Sequence, residues 1–343
     1  MRRNQILCRS TEEGSHLRGI DRPVNCQVYV RCRRGKENRL ALRFLKKPEY
    51  IWQPRRILKR LFGKAKPGVM VVTLPWGLPL EIDTREAIGR AIYKSGVFEL
   101  NVVEAIFRLV DPNELSVDIG ANIGLVTAAF LGASGGGRVV AFEPHPRVFE
   151  KLSKCAQLWR NARADVSNRL VLEQLAVSDA TGTSRLCLPG DLALNFGLAS
   201  LRGSSRDGAA GEGVEVRTIR LDNYFDDPSV AIGVLKIDIE GHEPAAFEGA
   251  RGLLQSHRIR DIIFEDHEGF SSLACRTLRD FGYAIFYLEK TILGVRLNDN
   301  DEKSREAQES AYEAPNYLAT LNPRRAIERM RGFGCKSLAQ NGK

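Results

Sequence analysis

The sequence predicts an α/β fold, with a mainly parallel sheet covered by helices on both faces. Three observations carry that reading. Apolar runs of strand length alternate with amphipathic helical stretches from Leu115 onward. A glycine-bearing loop, Gly120-Ala121-Asn122-Ile123-Gly124, follows the first run, and an acid, Glu143, ends the second. The fourth run, VLKIDIE, is built for a core yet leads straight into Asp238, Glu240, His242 and Glu243.

The elements follow in order. LSVDIG is a short buried strand, and ANIGLVTAAFLGA opens a helix. RVVAFEP is a second strand, followed by the amphipathic helix PRVFEKLSKCAQLWRNA. RLVLEQLAV is the third strand. VLKIDIE, with the helix EPAAFEGARGLLQSH, is the fourth unit. RDIIFEDHE and SSLACRTLRDFG form the fifth, and YAIFYLEK and NYLATL supply late strands. Ahead of these, VMVVTLPWGLPLEIDT predicts a β-hairpin turning near Pro75-Trp76-Gly77, and a helix follows through Val102–Val110. Residues 180–225 interrupt the alternation. TSRLCLP and VEVRTIRLD read as two strands joined by the Gly/Ser/Ala-rich stretch LRGSSRDGAAGEG. Such an insertion beside the sheet's carboxyl edge fits a lid or substrate loop, and equally a solvent-exposed elaboration.

Composition narrows the class. The 343 residues are 43% hydrophobic and 27% charged, ordinary for a globular protein. No apolar run is long enough for a bilayer span, and the N-terminus lacks the apolar core of a signal peptide, so the expected location is cytoplasmic. Seven scattered cysteines with no CxxC pair argue against a disulfide frame or a zinc site. The net charge of +9 is uneven: residues 1–66 hold 19 Lys+Arg and 5 Asp+Glu, so the remainder is mildly acidic. Three segments are expected: a basic, poorly ordered stretch over 1–66, a catalytic domain over 67–325, and a flexible tail over 326–343. Within the first, residues 53–66 set Ile57, Leu58, Leu61 and Phe62 at helical spacing among basic residues. That pattern suits weak contact with an anionic membrane, or a solvated tail whose apolar residues pack on the domain. Composition favours the tail.

The glycine loop points to a nucleotide-like ligand. In an open α/β sheet, ligands sit outside the carboxyl ends of the strands. An acid at the end of the second strand, Glu143 before Pro144, can accept hydrogen bonds from both hydroxyls of a ribose. A dinucleotide fingerprint would be G-x-G-x-x-G. Here Asn122 replaces the middle glycine and the third is missing. Asp118, just before the loop, suits a cationic ligand better than a phosphate. S-adenosylmethionine carries an ammonium and a sulfonium and no phosphate, so it is the expected cofactor. The loop alone is also a common strand–helix turn, and the cofactor reading rests on its pairing with Glu143.

VDIGANIG, VVAFEPHP, LEQLAVSDATG, NFGLASL, VRTIRLDNYF, LKIDIEGHEPAAFEGA and IIFEDHE, in that order, resemble the FkbM family of S-adenosylmethionine-dependent methyltransferases. The resemblance is collinear over roughly residues 68–290. KIDIEG is its most specific mark, and KSGVFEL, with Glu99, resembles a further element ahead of the glycine loop. It implies a class I methyltransferase, Rossmann-like fold: seven strands, mostly parallel, the last antiparallel. It implies methyl transfer to oxygen, on sugars or natural-product hydroxyls. By motif position, Asp118, Gly120, Asn122 and Gly124 would line the methionine part, with Glu99 ahead of them. Glu143, with Pro144, would hold the ribose, and Ala176 would lie near the adenine.

Side chains two apart in a strand share a face, so Lys236, Asp238 and Glu240 point one way. The next strand ends Glu265-Asp266-His267-Glu268. If the two strands are neighbours, Asp238, Glu240, Glu265 and His267 meet in one crevice. A carboxylate or His267 would then take the proton of an acceptor hydroxyl. Alternatively the acids would hold a divalent cation; the absence of a recognisable metal spacing favours the base, and no metal is expected. Glu243 has a structural reason to exist, at a helix N-terminus, and Lys236 one in neutralising an acid. His242 reads as a solvated or capping residue, and His145 as a turn residue. The expected acceptor is a saccharide, glycolipid or other hydroxylated small molecule. A nicotinamide-dependent oxidoreductase would want the missing glycine. An RNA methyltransferase would want aromatics interleaved with the basic residues and a basic catalytic domain. A protein that only bound a nucleoside would gain little from several desolvated acids.

Overall fold

The structure, a computed structural model, describes residues 48–54, 56–57, 66–187, 200–201, 213–302 and 315–339. Helix α1 spans Pro48–Ile51, and the hairpin β1 Val69–Thr73 with β2 Pro79–Asp83 follows. Helices α2 Ala87–Ser95 and α3 Leu100–Leu109 lead into β3 Leu115–Ile119. Then come α4 Leu125–Ala133, β4 Val139–Phe142, α5 Pro146–Ala162 and β5 Leu170–Glu173. The insertion contributes β6 Ala176–Val177, β7 Gly182–Cys187, β8 Ser200–Leu201 and β9 Gly213–Ile219. The chain continues through β10 Ile232–Ile237, α6 Glu243–Gly249, β11 Ile259–Glu265 and α7 Leu273–Asp280. It ends in β12 Ala284–Thr291, β13 Gly294–Asn298, β14 Asn316–Thr320 and α8 Pro323–Met330. No helix among the described residues is long and apolar enough to cross a membrane.

The main sheet runs β13-β12-β14-β11-β10-β3-β4-β5. Strands β5, β4, β3, β10 and β11 are parallel, and β14 enters antiparallel between β11 and β12. This is the Rossmann-like arrangement expected, with eight strands instead of seven. The extra strand arises because the chain reverses after Thr291 over a two-residue turn. Gly294, at φ +126°, closes that turn against a backbone position where a Cβ would meet Gly334 O at 2.6 Å.

Burial follows the two-residue period. Val117, Ile119, Val140, Phe142, Leu235, Ile237, Ile262 and Phe264 join one apolar layer, with Phe247, Leu253 and Leu278 from the helices above them. Val139, Ala141, Val234 and Ile263 face the opposite layer, with α3, α4, α5 and the β1–β2 hairpin. All six residues of β10 are buried, as a strand covered on both faces requires. The second layer also carries the two strand polar groups that matter most below, Asp118 and its register partner Lys236.

The insertion forms its own four-stranded sheet, β6-β9-β7-β8. Its core is the antiparallel pair β7–β9, matching the two strands expected; most of the connection at 188–212 lies outside the described residues.

Two boundaries differ from the sequence reading. The stretch over 326–343 is not a flexible tail as far as Ala339: Met330, Cys335 and Leu338 are buried in the second layer. Glu104, fully buried on α3, accepts from Lys336 N at 2.8 Å and from Ser337 N and Oγ at 2.9 and 2.7 Å, while Arg108 Nε donates to it at 2.5 Å. Likewise residues 48–52 belong to the folded unit. Tyr50 is buried, and Trp52 meets Phe333 edge-on at 5.0 Å. Residues whose partners are more than 230 positions away, as Trp52 from Phe333 and Glu104 from Ser337, leave no periodic signal. Residues 58–65, most of the proposed interfacial stretch, lie outside the described residues. Deleting residues 335–343 removes three of the four donors to Glu104, leaving Arg108, and takes the buried side chains of Cys335 and Leu338 out of the core. The expected loss is about 3–5 kcal/mol, from the lost hydrogen bonds and the cavity left by Leu338, read as a lower denaturant midpoint.

Candidate active site

The carboxyl ends of β3, β4, β10 and β11 open onto one crevice. Its floor is a buried charge cluster. Lys236, 4% exposed, sits at the end of β10 opposite Asp118. Its Nζ lies 3.3 Å from Asp238 Oδ2 and 3.9 Å from Asp118 Oδ1, and donates to Gly120 O at 3.3 Å. Asp118 is fully buried. Its Oδ2 accepts from Thr127 Oγ1 at 2.6 Å, and its Oδ1 has no hydrogen-bond donor. Burial pushes the Asp118 carboxyl upward, while Lys236 and Thr127 pull it back. Burial alone would lower Lys236, but Asp238, Asp118 and Glu99 outweigh it and hold the ammonium charged. Lys236 is therefore the neutraliser the sequence suggested.

The glycine loop owes its composition to packing as much as to any ligand. Gly120 has φ +77°, and a Cβ there would stand 2.0 Å from Asp238 O. Gly124 has φ +94°, and a Cβ would run into Trp159 and Leu152 of α5 at 2.5 and 2.7 Å. Asn122, at φ +51°, presents its backbone N–H to Glu143 Oε2 at 2.9 Å. The N–H of His145 donates to Glu143 Oε1 at 2.9 Å, and His145 itself caps α5 by accepting from Arg147 N. Burial raises Glu143 to about 7, opposed by those two N–H groups. Each carboxylate oxygen keeps a lone pair for a further donor. Beside it lies an apolar slot lined by Gly120, Pro144, Leu175, Ala176, Leu186 and His242. Leu186 comes from β7, so the insertion supplies one wall. His242, read as a solvated or capping residue, is the N-cap residue of α6 without a side-chain cap bond; its Nε2 lies 2.9 Å from Ser178 Oγ and the ring faces this slot.

Opposite the slot is an acidic group. Glu240, Glu265 and His267 each offer an atom within 4.8 Å of the others. The adjacency of β10 and β11 brings them together, as the sequence required. His267 Nε2 lies 3.1 Å from Glu265 Oε1, and the imidazole is 69% exposed. Burial raises Glu265 to about 9, helped by Asp238, Glu99 and Glu240. Burial, then Asp238, Glu243 and Glu99, raise Glu240 to about 7. Glu99 thus faces the same crevice. Glu99 and Glu240 both hold left-handed backbone, at φ +49° and +53°, which side chains of this size rarely adopt. Glu243 is a positioning group: its Oε1 accepts from Ile239 N at 2.9 Å and fixes the turn that carries Glu240.

The sequence profile of the methyltransferase FkbM domain matches residues 118–290, just over half the chain. The protein belongs to the FkbM methyltransferase family. That match begins at Asp118 and so omits the hairpin, α2 and α3, which the motif resemblance had included from residue 68. Among relatives, 31-O-demethyl-FK506 methyltransferase FkbM of Streptomyces tacrolimicus is 28% identical over 200 residues, covering 51% of this chain and 74% of that one. Hexuronic acid methyltransferase AglP of Haloferax volcanii is 26% identical over 172 residues, covering 50% of this chain and 63% of that one. The crystal structure of methyltransferase FkbM from Methylobacillus flagellatus is 17% identical at a TM-score of 0.39, over 66% of this chain and 52% of that one. This FkbM-family protein is therefore a methyltransferase.

Proposed function

We propose that the protein is an S-adenosylmethionine-dependent O-methyltransferase acting on a hydroxyl of a saccharide, glycolipid or natural product. The observation that carries this is one crevice with two unlike halves: a ribose-ready carboxylate beside an apolar slot, and a group of proton-hungry acids. Three features suit the cofactor. Asp118 Oδ1, buried without a donor, fits a cationic methionine end; Glu143 has lone pairs for two ribose hydroxyls; and the apolar wall at Pro144, Ala176 and Leu186 suits the face of a base. The two named relatives are methyltransferases of 31-O-demethyl-FK506 and of hexuronic acid, which supports an oxygen acceptor.

The cofactor, when bound, supplies an electrophilic methyl group on a sulfonium. The chain aligns the acceptor hydroxyl and takes its proton. Glu265, raised to about 9, is protonated at neutral pH and can donate to His267, which is thereby oriented. Glu240, near 7, is the better base. The rate of methyl transfer should then rise with pH through about 7. Glu240→Gln should abolish that limb and lower kcat about 100-fold, whereas His267→Asn should keep it; a limb that survives in Glu240→Gln assigns the proton to His267. The same shifts act on stability. Both carboxyls bind protons more tightly folded than unfolded, so their contribution to stability is fully present at acid pH and falls as pH climbs from about 4.5 through 7 to 9.

A cation-assisted reading is favoured by the convergence of Glu240, Glu265 and His267. Assay after dialysis against EDTA separates the two. A rate unchanged by the chelator supports the base mechanism, and a rate restored by added magnesium overturns it.

A further inference from the structure

Among the described residues that line the slot beside Glu143, His242 has the one polar side chain. The others, Ile119, Leu175, Val177, Leu186 and Ile239 among them, are apolar. A base laid against this wall gains apolar burial from them, but they carry no information about its polar edge. Of the side chains there, the imidazole alone can read that edge. What it reads depends on which ring nitrogen carries the proton.

Two contacts decide the tautomer. Ser178 Oγ lies 2.9 Å from His242 Nε2 and 3.0 Å from Asp179 Oδ1. The hydroxyl has a single proton, and a carboxylate only accepts. Both contacts are hydrogen bonds in one arrangement alone: Ser178 donates to Asp179, and the Nε2–H of His242 donates to Ser178. Burial lowers the imidazole below its ordinary value, against the pull of Asp179, so the ring is neutral at pH 8. Nδ1 then holds a lone pair and, among the described residues, has no donor. The serine itself is fixed. Its N–H donates to Ile219 O at 3.0 Å, and α6 lies so close that a Cβ on Gly249 would stand 2.0 Å from its carbonyl oxygen.

We propose that His242 Nδ1 accepts a hydrogen bond from the exocyclic amine of the cofactor's adenine, so that the chain Asp179–Ser178–His242 selects a 6-amino over a 6-oxo purine. This rests on the S-adenosylmethionine reading above. An oxygen in place of the amine would set its lone pairs against that of Nδ1. His242 is the specificity-determining group, and Ser178 is a positioning residue that fixes its tautomer. Glu143, assigned to the ribose, meets a part common to both purines and cannot tell them apart.

Two measurements on the full-length chain test this, and neither needs a methyl acceptor. The first is nitrogen-15 NMR of the imidazoles at pH 8 without cofactor, the His242 signal being the one lost in His242→Phe. Expected is the Nε2–H tautomer in the wild type and a mixture in Ser178→Ala. A proton on Nδ1 in the wild type overturns the proposal. The second is calorimetry with S-adenosylhomocysteine and S-inosylhomocysteine, with melting curves confirming that each variant is folded. The wild type should prefer the adenosyl compound about tenfold, the worth of one hydrogen bond. His242→Phe keeps an aromatic ring without an acceptor, and should erase that preference by weakening the adenosyl compound alone. Ser178→Ala should reduce the preference about threefold. Equal weakening of both compounds in His242→Phe would make the ring a packing group, and an unchanged preference would place the reader elsewhere; either result overturns the proposal. A folded wild type that binds both compounds equally removes this inference and leaves the cofactor assignment standing, whereas one that binds neither removes both.

Discussion

Glu143→Ala should weaken S-adenosylmethionine binding about 100-fold by calorimetry, with no NAD binding in either protein. The magnitude follows from two hydrogen bonds to a carboxylate, each about 1.5–3 kcal/mol, at about 1.4 kcal/mol per tenfold. The variant also frees the Asn122 and His145 N–H groups, so a loop effect must be separated from a ribose effect. Glu143→Gln does this. It keeps an acceptor for one N–H and the shape of the side chain, and should lose about tenfold. Alanine and glutamine variants that both bind like wild type would place the ribose elsewhere. A folded wild type that binds no S-adenosylmethionine would remove the cofactor assignment altogether.

The second large effect is on stability. Lys236→Met removes the ammonium between Asp118 and Asp238, two acids on the same side of the cluster. A buried carboxylate left without its partner costs about 3–5 kcal/mol. The damage should be smallest at low pH. Asp118 is already pushed upward by burial, and without Lys236 it takes up a proton more readily. Urea unfolding at pH 5 and pH 8 reads this as a wild-type-minus-variant gap that widens at the higher pH. A gap independent of pH would mean that the methionine misfits and the charge is incidental.

The parts of this site that were legible in the sequence are those written locally. Alternation in VLKIDIE puts Lys236 and Asp238 on one face, and the ion pair is there. Asp118 and Glu143 end consecutive strands, and both open onto the crevice. The pairing of β10 with β11, which gathers Glu240, Glu265 and His267, needed only adjacent parallel strands. What stayed hidden depends on long-range packing or on backbone conformation. Gly124 is required by Trp159, 35 residues on in the chain, as well as by its own φ. Nothing in KSGVFEL or DIEGH announces left-handed backbone at Glu99 and Glu240. His242 does sit at the N-cap of α6, but its place in the slot, beside Leu186 from an insertion strand, had no local signal. Nothing local marks Glu104 as a buried acid, because Lys336 and Ser337, which donate to it, lie more than 230 positions downstream.

The position of β14 has a consequence for how the protein is made. This strand is drawn from residues 316–320 but lies between β11 and β12, which are synthesised earlier. Until it leaves the ribosome, those two strands present unpaired edges toward each other, and Glu104 has Arg108 but not yet Ser337, 233 residues downstream. The sheet from β5 to β11 can assemble as synthesis proceeds; the β12–β13 half cannot dock. Shortened or stalled chains ending before residue 316 therefore expose two sheet edges at once, the form of nascent protein most prone to pair with the wrong neighbour.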